Sequence, residues 1–365
     1  MLKPRQFLRA LVALSAGVLS GFVSLDALAA PPAGVLDETH ANVRAVIAVQ
    51  QEVTADWMRQ PEVLGTAVGL DGAGHTSLVV YVDRDSVRAG EVIRSLPQQV
   101  RGVGVQIELT DKFRSMAKPG GGTSHTAKQT PPIQLGTSGG WSKDLANGYC
   151  CGGTLGSLVN IGGSQYILSN YHVFESDIVP GGNNTVATTG DPIIQPGLID
   201  VNCNVSGAQT VATLVKKSSL PNSNVDCSVG QVVSGQVRTD GAILEIGTIS
   251  AQTVNAALSQ AVKKSGRTTG LTHSTVSGLN ATISVQYDNE CAGGVAFTKT
   301  FTGQIVVSNN GSRFLNSGDS GSLMVEDVTT SPRAVGLLFA GSSSSAIANP
   351  IGQVLSFLGA TMVGN

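Results

Sequence analysis

From Gly136 onward, apolar residues come in short runs of β type: GTLGSLVNI, SQYILSN, TVATLVKK, DCSVGQVV, ATISVQY, FTGQIVVS, SGSLMVED and AVGLLFAG. Turn residues separate them at frequent intervals. That spacing predicts an antiparallel sandwich or barrel rather than βαβ units. The closing PIGQVLSFLGATMV is expected to form a short helix. The pattern upstream is different. DETHANVRAVIAVQQEVTADWMRQ repeats Val46, Val49, Val53 and Trp57 at roughly helical spacing, with Asp37 as a candidate N-cap. EVLGTAVGL and TSLVVYVD flank the turn DGAGH as in a hairpin. SVRAGEVIRSL then reads as a second, shorter helix and RGVGVQIEL as a third strand. Residues 35–112 are thus expected to form a small α+β unit of order α-β-β-α-β. Residues 113–135, which contain AKPGGGTSHTAKQTPPIQ, lack apolar periodicity and read as an exposed linker open to proteolysis. Residues 136–365 form the mainly β domain, and no internal repeat is visible.

The first 29 residues read as a secretory signal peptide. MLKPRQFLRA is basic, LVALSAGVLSGFVSL is apolar, and ALA at Ala27–Ala29 offers a small-x-small cleavage site. The apolar run falls short of the roughly 20 residues that a membrane span needs. The protein is therefore expected to be secreted or periplasmic and free of the membrane once the signal is removed. Only 13% of residues are charged and the formal net charge is −2, so nothing points to nucleic acid or a polybasic membrane surface. An oxidising destination favours paired cysteines. There are five, Cys150, Cys151, Cys203, Cys227 and Cys291, so at least one lacks an intramolecular partner. Connectivity is not readable from spacing; Cys203 with Cys227 is the pair expected first. No C-x-x-C occurs, and neither a metal site nor a cofactor is expected.

NSGDSGSLMV, Asn316–Val325, sets Ser320 between glycines just ahead of a strand. Glycine-rich turns use the same residues, so the motif alone does not separate a nucleophile from a turn filler. A serine hydroxyl needs a base to take its proton as it attacks. Of His40, His75, His125, His172 and His273, only His172, in YILSNYHVFES, follows directly on a buried β-type run. A base needs a third group to fix its tautomer. Between His172 and Ser320, Asp226 in NSNVDCSVGQVV stands immediately before a strand, between Val225 and Cys227; Asp191, Asp200 and Asp240 lie in more open turns.

The order His172, Asp226, Ser320 resembles that of the chymotrypsin/trypsin-like serine peptidases, whose triad spans two packed β-barrels. CGGTLGSLV with YILSNYHVF looks like the strand pair leading to the family's histidine, NVDCSV like its aspartate strand, NSGDSGSLMV like its nucleophile loop, and AVGLLFAGSSS like the strand lining its specificity pocket. KKSGRTTGLTHSTVSG adds a likeness to bacterial members such as the streptogrisins. The resemblance implies a mainly β, two-barrel antiparallel peptidase domain over residues 136–365, hydrolysing polypeptides through an acyl-enzyme. His172 would be the base, Asp226 its orienter and Ser320 the nucleophile, with the N–H groups of Gly318 and Ser320 as the oxyanion hole. It also implies a pocket floor at Phe314, a pocket wall from LLFAG including Phe339, and a substrate-backbone edge at Gly341. His273 is a rival specificity cue, since some relatives bind glutamate side chains through a histidine in this region.

The chain departs from the family at several points. Val173 follows His172 where the family's histidine loop runs on to a cysteine, Ser322 replaces the second glycine after the nucleophile, and Tyr171 replaces a small residue. The N-terminal unit is either a pro-region that inhibits the enzyme intramolecularly or a permanent accessory domain. TSGGW is not an apolar terminus of the kind that activates much of the family by pairing with the aspartate before the nucleophile, here Asp319. Two other functions compete. One is a catalytically silent binding module on the same fold. The other is an esterase-type hydrolase, whose α/β fold would place both partners after the serine.

Overall fold

The short β runs close into two antiparallel barrels in a computed structural model that describes residues 34–115, 123–146, 149–175, 186–287 and 297–365. The expected signal peptide lies outside the described residues. In the first barrel the strands Thr137–Trp141, Gly153–Leu155 running on into Ser157–Ile161, Ser164–Ser169, Ser228–Val232, Gln209–Val215 and Pro192–Gln195 pair in that order. Pro192–Gln195 then pairs back onto Thr137–Trp141. Gly156 makes the join between its two strand halves. Its N–H bonds Leu168 O at 2.9 Å, and a Cβ there would lie 2.1 Å from Gly321 O, so only glycine lets the Ser320 loop approach.

In the second barrel Ala261–Gly266, Leu323–Glu326, Ala334–Gly341, Ser345–Pro350, Phe297–Ser308 and Gly270–Tyr287 pair in order, and Gly270–Tyr287 closes onto Ala261–Gly266. Closure removes the open edges that a flat sheet would expose. Leu158, Ile167, Val211 and Val229 fill the first barrel. The same cluster takes in Leu323 and Leu337 of the second barrel and Ile351, Val354 and Leu358 of the C-terminal helix Ile351–Leu358. The first barrel's core therefore runs on to one side of the second barrel, whose other buried residues form clusters of their own.

The N-terminal α+β elements form as the pattern predicts: helix Ala41–Trp57, strands Val63–Leu70 and Thr76–Asp83, helix Ala89–Ser95 and strand Val103–Thr110. The cap differs. His40 accepts from Asn42 N at 3.2 Å, while Asp37 serves the preceding turn through Thr39 N. These strands extend the sheet of the second barrel, Val63–Leu70 pairing with Gly270–Tyr287. Val43, Val46, Val49 and Val68 lie in one buried cluster with Phe314, Met324 and Leu338. Gly34–Asn365 is accordingly one compact unit.

The described parts of 113–135 also differ from an exposed linker. Phe113, Ile133 and Leu135 are fully buried, and Arg114–Ser115 pairs with two strands of the second barrel. Polar groups hold much of the rest without apolar periodicity. His125 Nε2, for example, meets Glu245 Oε2 at 2.7 Å.

The expected Cys203–Cys227 pair does not form. Cys203 sits in an exposed turn and bonds Cys150, with Cα atoms 5.6 Å apart, whereas Cys227 is a free thiol sealed in the first barrel's core. Cys151 is disulfide-bonded too. Among the described residues no helix is long and apolar enough to cross a membrane.

Candidate active site

Strand Ser164–Ser169 ends in a single helical turn, Tyr171–Phe174, which carries His172. Its neighbour Ser228–Val232 runs antiparallel with Ser169 opposite Ser228, so the residues before Ser228 lie alongside that turn. The register therefore brings Asp226 to His172. The Asp226 backbone is pinned on both sides, its N–H to Asn349 Oδ1 at 2.9 Å and its carbonyl by Asn170 Nδ2 at 2.7 Å. Its carboxylate is fully buried. Oδ1 accepts from Tyr171 N at 2.7 Å and His172 N at 3.4 Å, and Oδ2 accepts from His172 Nδ1 at 2.6 Å and Tyr287 Oη at 2.8 Å. An ionised Asp226 keeps the imidazole proton on Nδ1 and makes Nε2 the basic nitrogen. Asp191, Asp200 and Asp240 are engaged elsewhere, with Lys143, Arg267 and Arg238 respectively.

Ser320 enters from the second barrel, on the loop between Phe297–Ser308 and Leu323–Glu326. Gly153 is where the two sides touch: a Cβ there would lie 2.6 Å from Val173 Cγ2 and 2.9 Å from Ser320 O. The adjacent Thr154 N–H bonds Ser320 O at 2.8 Å. Ser320 Oγ donates to Phe339 O at 3.3 Å, and the residue is fully buried. Gly318 takes φ +95°, and an added Cβ would lie 2.5 Å from Thr268 Oγ1, so no other residue fits. The loop's own backbone bonds use the N–H groups of Asp319, Gly321 and Ser322. Among the described residues no acceptor takes the N–H of Gly318 or of Ser320.

The loop is held by a buried ion pair that the sequence does not announce. Asp319 Oδ2 lies 3.4 Å from Lys264 Nζ, both side chains fully buried, and its oxygens also accept from Thr268 N, Thr269 N, Thr269 Oγ1 and Asn316 N. Lys264 Nζ bonds Thr269 Oγ1 and Gly270 O as well. Burial pulls the Lys264 ammonium below the usual lysine range, opposed by the Asp319 carboxylate. TSGGW, meanwhile, is the internal strand Thr137–Trp141. The counter-charge for Asp319 thus comes from within the barrel and not from a chain terminus. Ser322 Oγ donates to Asp319 O at 2.6 Å, adding one more bond to the loop.

The expected binding residues separate into two groups. Gly341 lies on strand Ala334–Gly341 beside the Ser320 loop, and Phe339 contributes its carbonyl to Ser320 while its ring is buried with Tyr171 and Phe301. Phe314 is 2% exposed and belongs to the core, its carbonyl accepting from Thr272 Oγ1; it is not an open pocket floor. His273 is turned to the surface, where it pairs with Asp327 at 2.9 Å. The edge at Gly341 is itself occupied: Gly341 pairs with Arg114 and Ala340 with Ser115. Burial, then the charges of Asp226 and Glu175, push the Cys227 thiol well up, which keeps it protonated.

The Nal1 C-terminal domain family matches residues 221–349, a stretch that contains Asp226 and Ser320. Among curated proteins none matches the chain. Three solved structures similar to it are bacterial-type serine proteases or chymotrypsins. A glutamic acid specific serine protease described as using a novel histidine triad in substrate binding is 20% identical, covering 63% of this chain and 100% of its own at TM-score 0.42. Thermobifida fusca protease A is 20% identical, covering 58% and 92% at TM-score 0.39. Cellulomonas bogoriensis chymotrypsin is 18% identical, covering 64% and 99% at TM-score 0.40.

Proposed function

We propose that the chain is an exported serine endopeptidase that cleaves polypeptides through an acyl-enzyme, with Ser320 as nucleophile, His172 as general base and acid, and Asp226 as orienter. The buried contact of His172 Nδ1 with Asp226 Oδ2 at 2.6 Å carries the reading, because it leaves Nε2 as the basic nitrogen on the turn whose Val173 and the Ser320 carbonyl both crowd Gly153. Ser320 Oγ attacks the scissile carbonyl carbon as its proton passes to His172 Nε2. The carbonyl oxygen becomes an oxyanion facing the N–H groups of Gly318 and Ser320, where one donor is commonly worth on the order of 10²–10³ in rate. The tetrahedral adduct collapses with cleavage of the C–N bond, and His172 gives its proton to the departing amine. Water, deprotonated by the same Nε2, then frees the acid and restores Ser320.

In this form of the protein the Gly341 edge, along which an extended substrate would run, is paired with Arg114–Ser115. The chain's own segment is therefore an intramolecular competitor, and the N-terminal unit, embedded in the second barrel's sheet and core, is its permanent carrier. Proline at 115 cannot donate to a ladder and obstructs strand pairing. Ser115→Pro in the full chain is expected to raise kcat/KM for peptide hydrolysis about tenfold, mostly through KM, since a two-residue pairing is worth about one net hydrogen bond. Steady-state kinetics on a peptide library check this. An unchanged KM would remove the inhibitory role of 113–115, and no hydrolysis by either form would remove the peptidase reading itself.

A further inference from the structure

One donor to the Asp226 carboxylate lies outside the proposed triad. Tyr287 ends strand Gly270–Tyr287, is 2% exposed, and donates from Oη to Asp226 Oδ2 at 2.8 Å. That oxygen is also the one that His172 Nδ1 contacts. A buried carboxylate oxygen short of donors is costly, so each bond to it constrains where it sits. Tyr287 is itself tightly held. Its ring stacks on Phe297 with centroids 5.0 Å apart, and the edge-on packing of His172 against it at 6.0 Å limits the imidazole's swing. The strand end is fixed by Gln286 N–H to Phe113 O at 3.0 Å. Burial, reinforced by the Asp226 charge, pushes the phenol well above the usual tyrosine range, so it remains a donor.

From this geometry we infer that Tyr287 is a positioning residue of the site: its hydroxyl holds Asp226 Oδ2 against His172 Nδ1 and shares the carboxylate's charge. The inference rests on the peptidase reading for its kinetic consequences, though not for its spectroscopic one. When His172 accepts the proton of Ser320, the attraction between imidazolium and carboxylate grows. A donor on the same oxygen tempers that attraction, so the base is neither misplaced nor held charged. The other titratable groups on this side are Cys227, whose thiol stays protonated, and Glu175, which accepts from Ser228 Oγ, Lys217 N and Ser218 N. None of these replaces the phenol, because Tyr287 is the one side-chain hydroxyl that donates to Asp226 among the described residues.

The test is Tyr287→Phe in the full chain, which keeps the ring and its packing, together with 3-fluorotyrosine at 287, which strengthens the donor. Peptide hydrolysis is followed from about pH 5 to about pH 9, where bell-shaped profiles report acid and base. The low-field proton resonance of His172 Nδ1–H and the melting curve are recorded alongside. Loss of the donor is expected to lower kcat about tenfold with little change in KM, as for an interaction expressed in the transition state. The acid limb of kcat/KM should move to higher pH, because an unshared carboxylate charge favours the imidazolium. The Nδ1–H resonance should shift in Tyr287→Phe and shift the opposite way with 3-fluorotyrosine. Active protein with identical kcat, acid limb and resonance in all forms would overturn the inference and leave Tyr287 a packing residue. If the wild type hydrolyses nothing, the peptidase reading fails, yet the resonance still decides the role of Tyr287. If Tyr287→Phe fails to fold, the 3-fluorotyrosine protein supplies the same decision.

Discussion

Asp226→Asn is expected to lower kcat for peptide hydrolysis by about 10⁴-fold while leaving the protein folded, the scale seen when a triad loses the correct tautomer of its base. Oδ1 of Asp226 accepts two backbone N–H groups, from Tyr171 and His172. In asparagine only one atom can accept, and those two donors claim it, which turns the amide NH₂ toward His172 and Tyr287. His172 Nδ1 must then accept, its proton moves to Nε2, and the nitrogen facing the nucleophile no longer takes a proton from Ser320. Tyr287 Oη can switch from donating to accepting, so the buried network remains satisfied and the fold survives. Asp226→Ala would be a poorer probe, since it leaves two backbone donors and the imidazole without acceptors in a fully buried site. Measurement of kcat with circular dichroism on the same sample checks both halves of the expectation. A loss of less than about tenfold would mean that Asp226 does not set the tautomer.

Lys264→Met is expected to destabilise the protein by about 3–5 kcal/mol, the usual cost of removing one partner from a buried ion pair. The Asp319 carboxylate would keep its four donors but lose the one cation paired with it among the described residues. Because Asp319 directly precedes Ser320, activity should fall with stability. The double variant Lys264→Met/Asp319→Asn removes both charges and should recover more than half of the lost stability, a coupling expected only for groups in contact. Urea unfolding of the four proteins completes the cycle; additive losses would show that the pair does not interact.

Much of this architecture could be read from residue pattern, and the exceptions share a cause. Runs rich in Val, Ile and Leu marked the strands Ser164–Ser169, Gln209–Val215 and Ala334–Gly341. Thr137–Trp141 and Ala261–Gly266 escaped because TSGGW and AVKKSG hold few apolar residues and do not alternate, although nearly every residue in both is buried. Their glycines serve contact: a Cβ on Gly139 would lie 2.3 Å from Leu155 Cδ2. Of the two lysines in AVKKSG, Lys264 is neutralised by Asp319 and Lys263 Nζ donates to Val328 O, partners distant in the chain that no local pattern can reveal. The same limit hid Lys264 and Tyr287 from the site and misdirected the cysteine pairing, where exposure, not spacing, decides that Cys203 meets Cys150. Phe314 illustrates a further limit. Counting back from a motif gives a position along the chain, and only packing tells whether that position faces a cleft or a core. Asp226 and His172 stood out in the sequence by chain order and by their places at strand ends; that these two strands are neighbours in register is added by the structure.

The most direct measurement exposes the protein from Ala30 to Asn365 to a fluorophosphonate probe, with Ser320→Ala as the paired control, and reads the site of labelling by mass. Covalent labelling confined to Ser320, absent from the alanine variant and faster in Ser115→Pro, is the expected result. No labelling in either the parent protein or Ser115→Pro would contradict it and leave the barrels as a binding module.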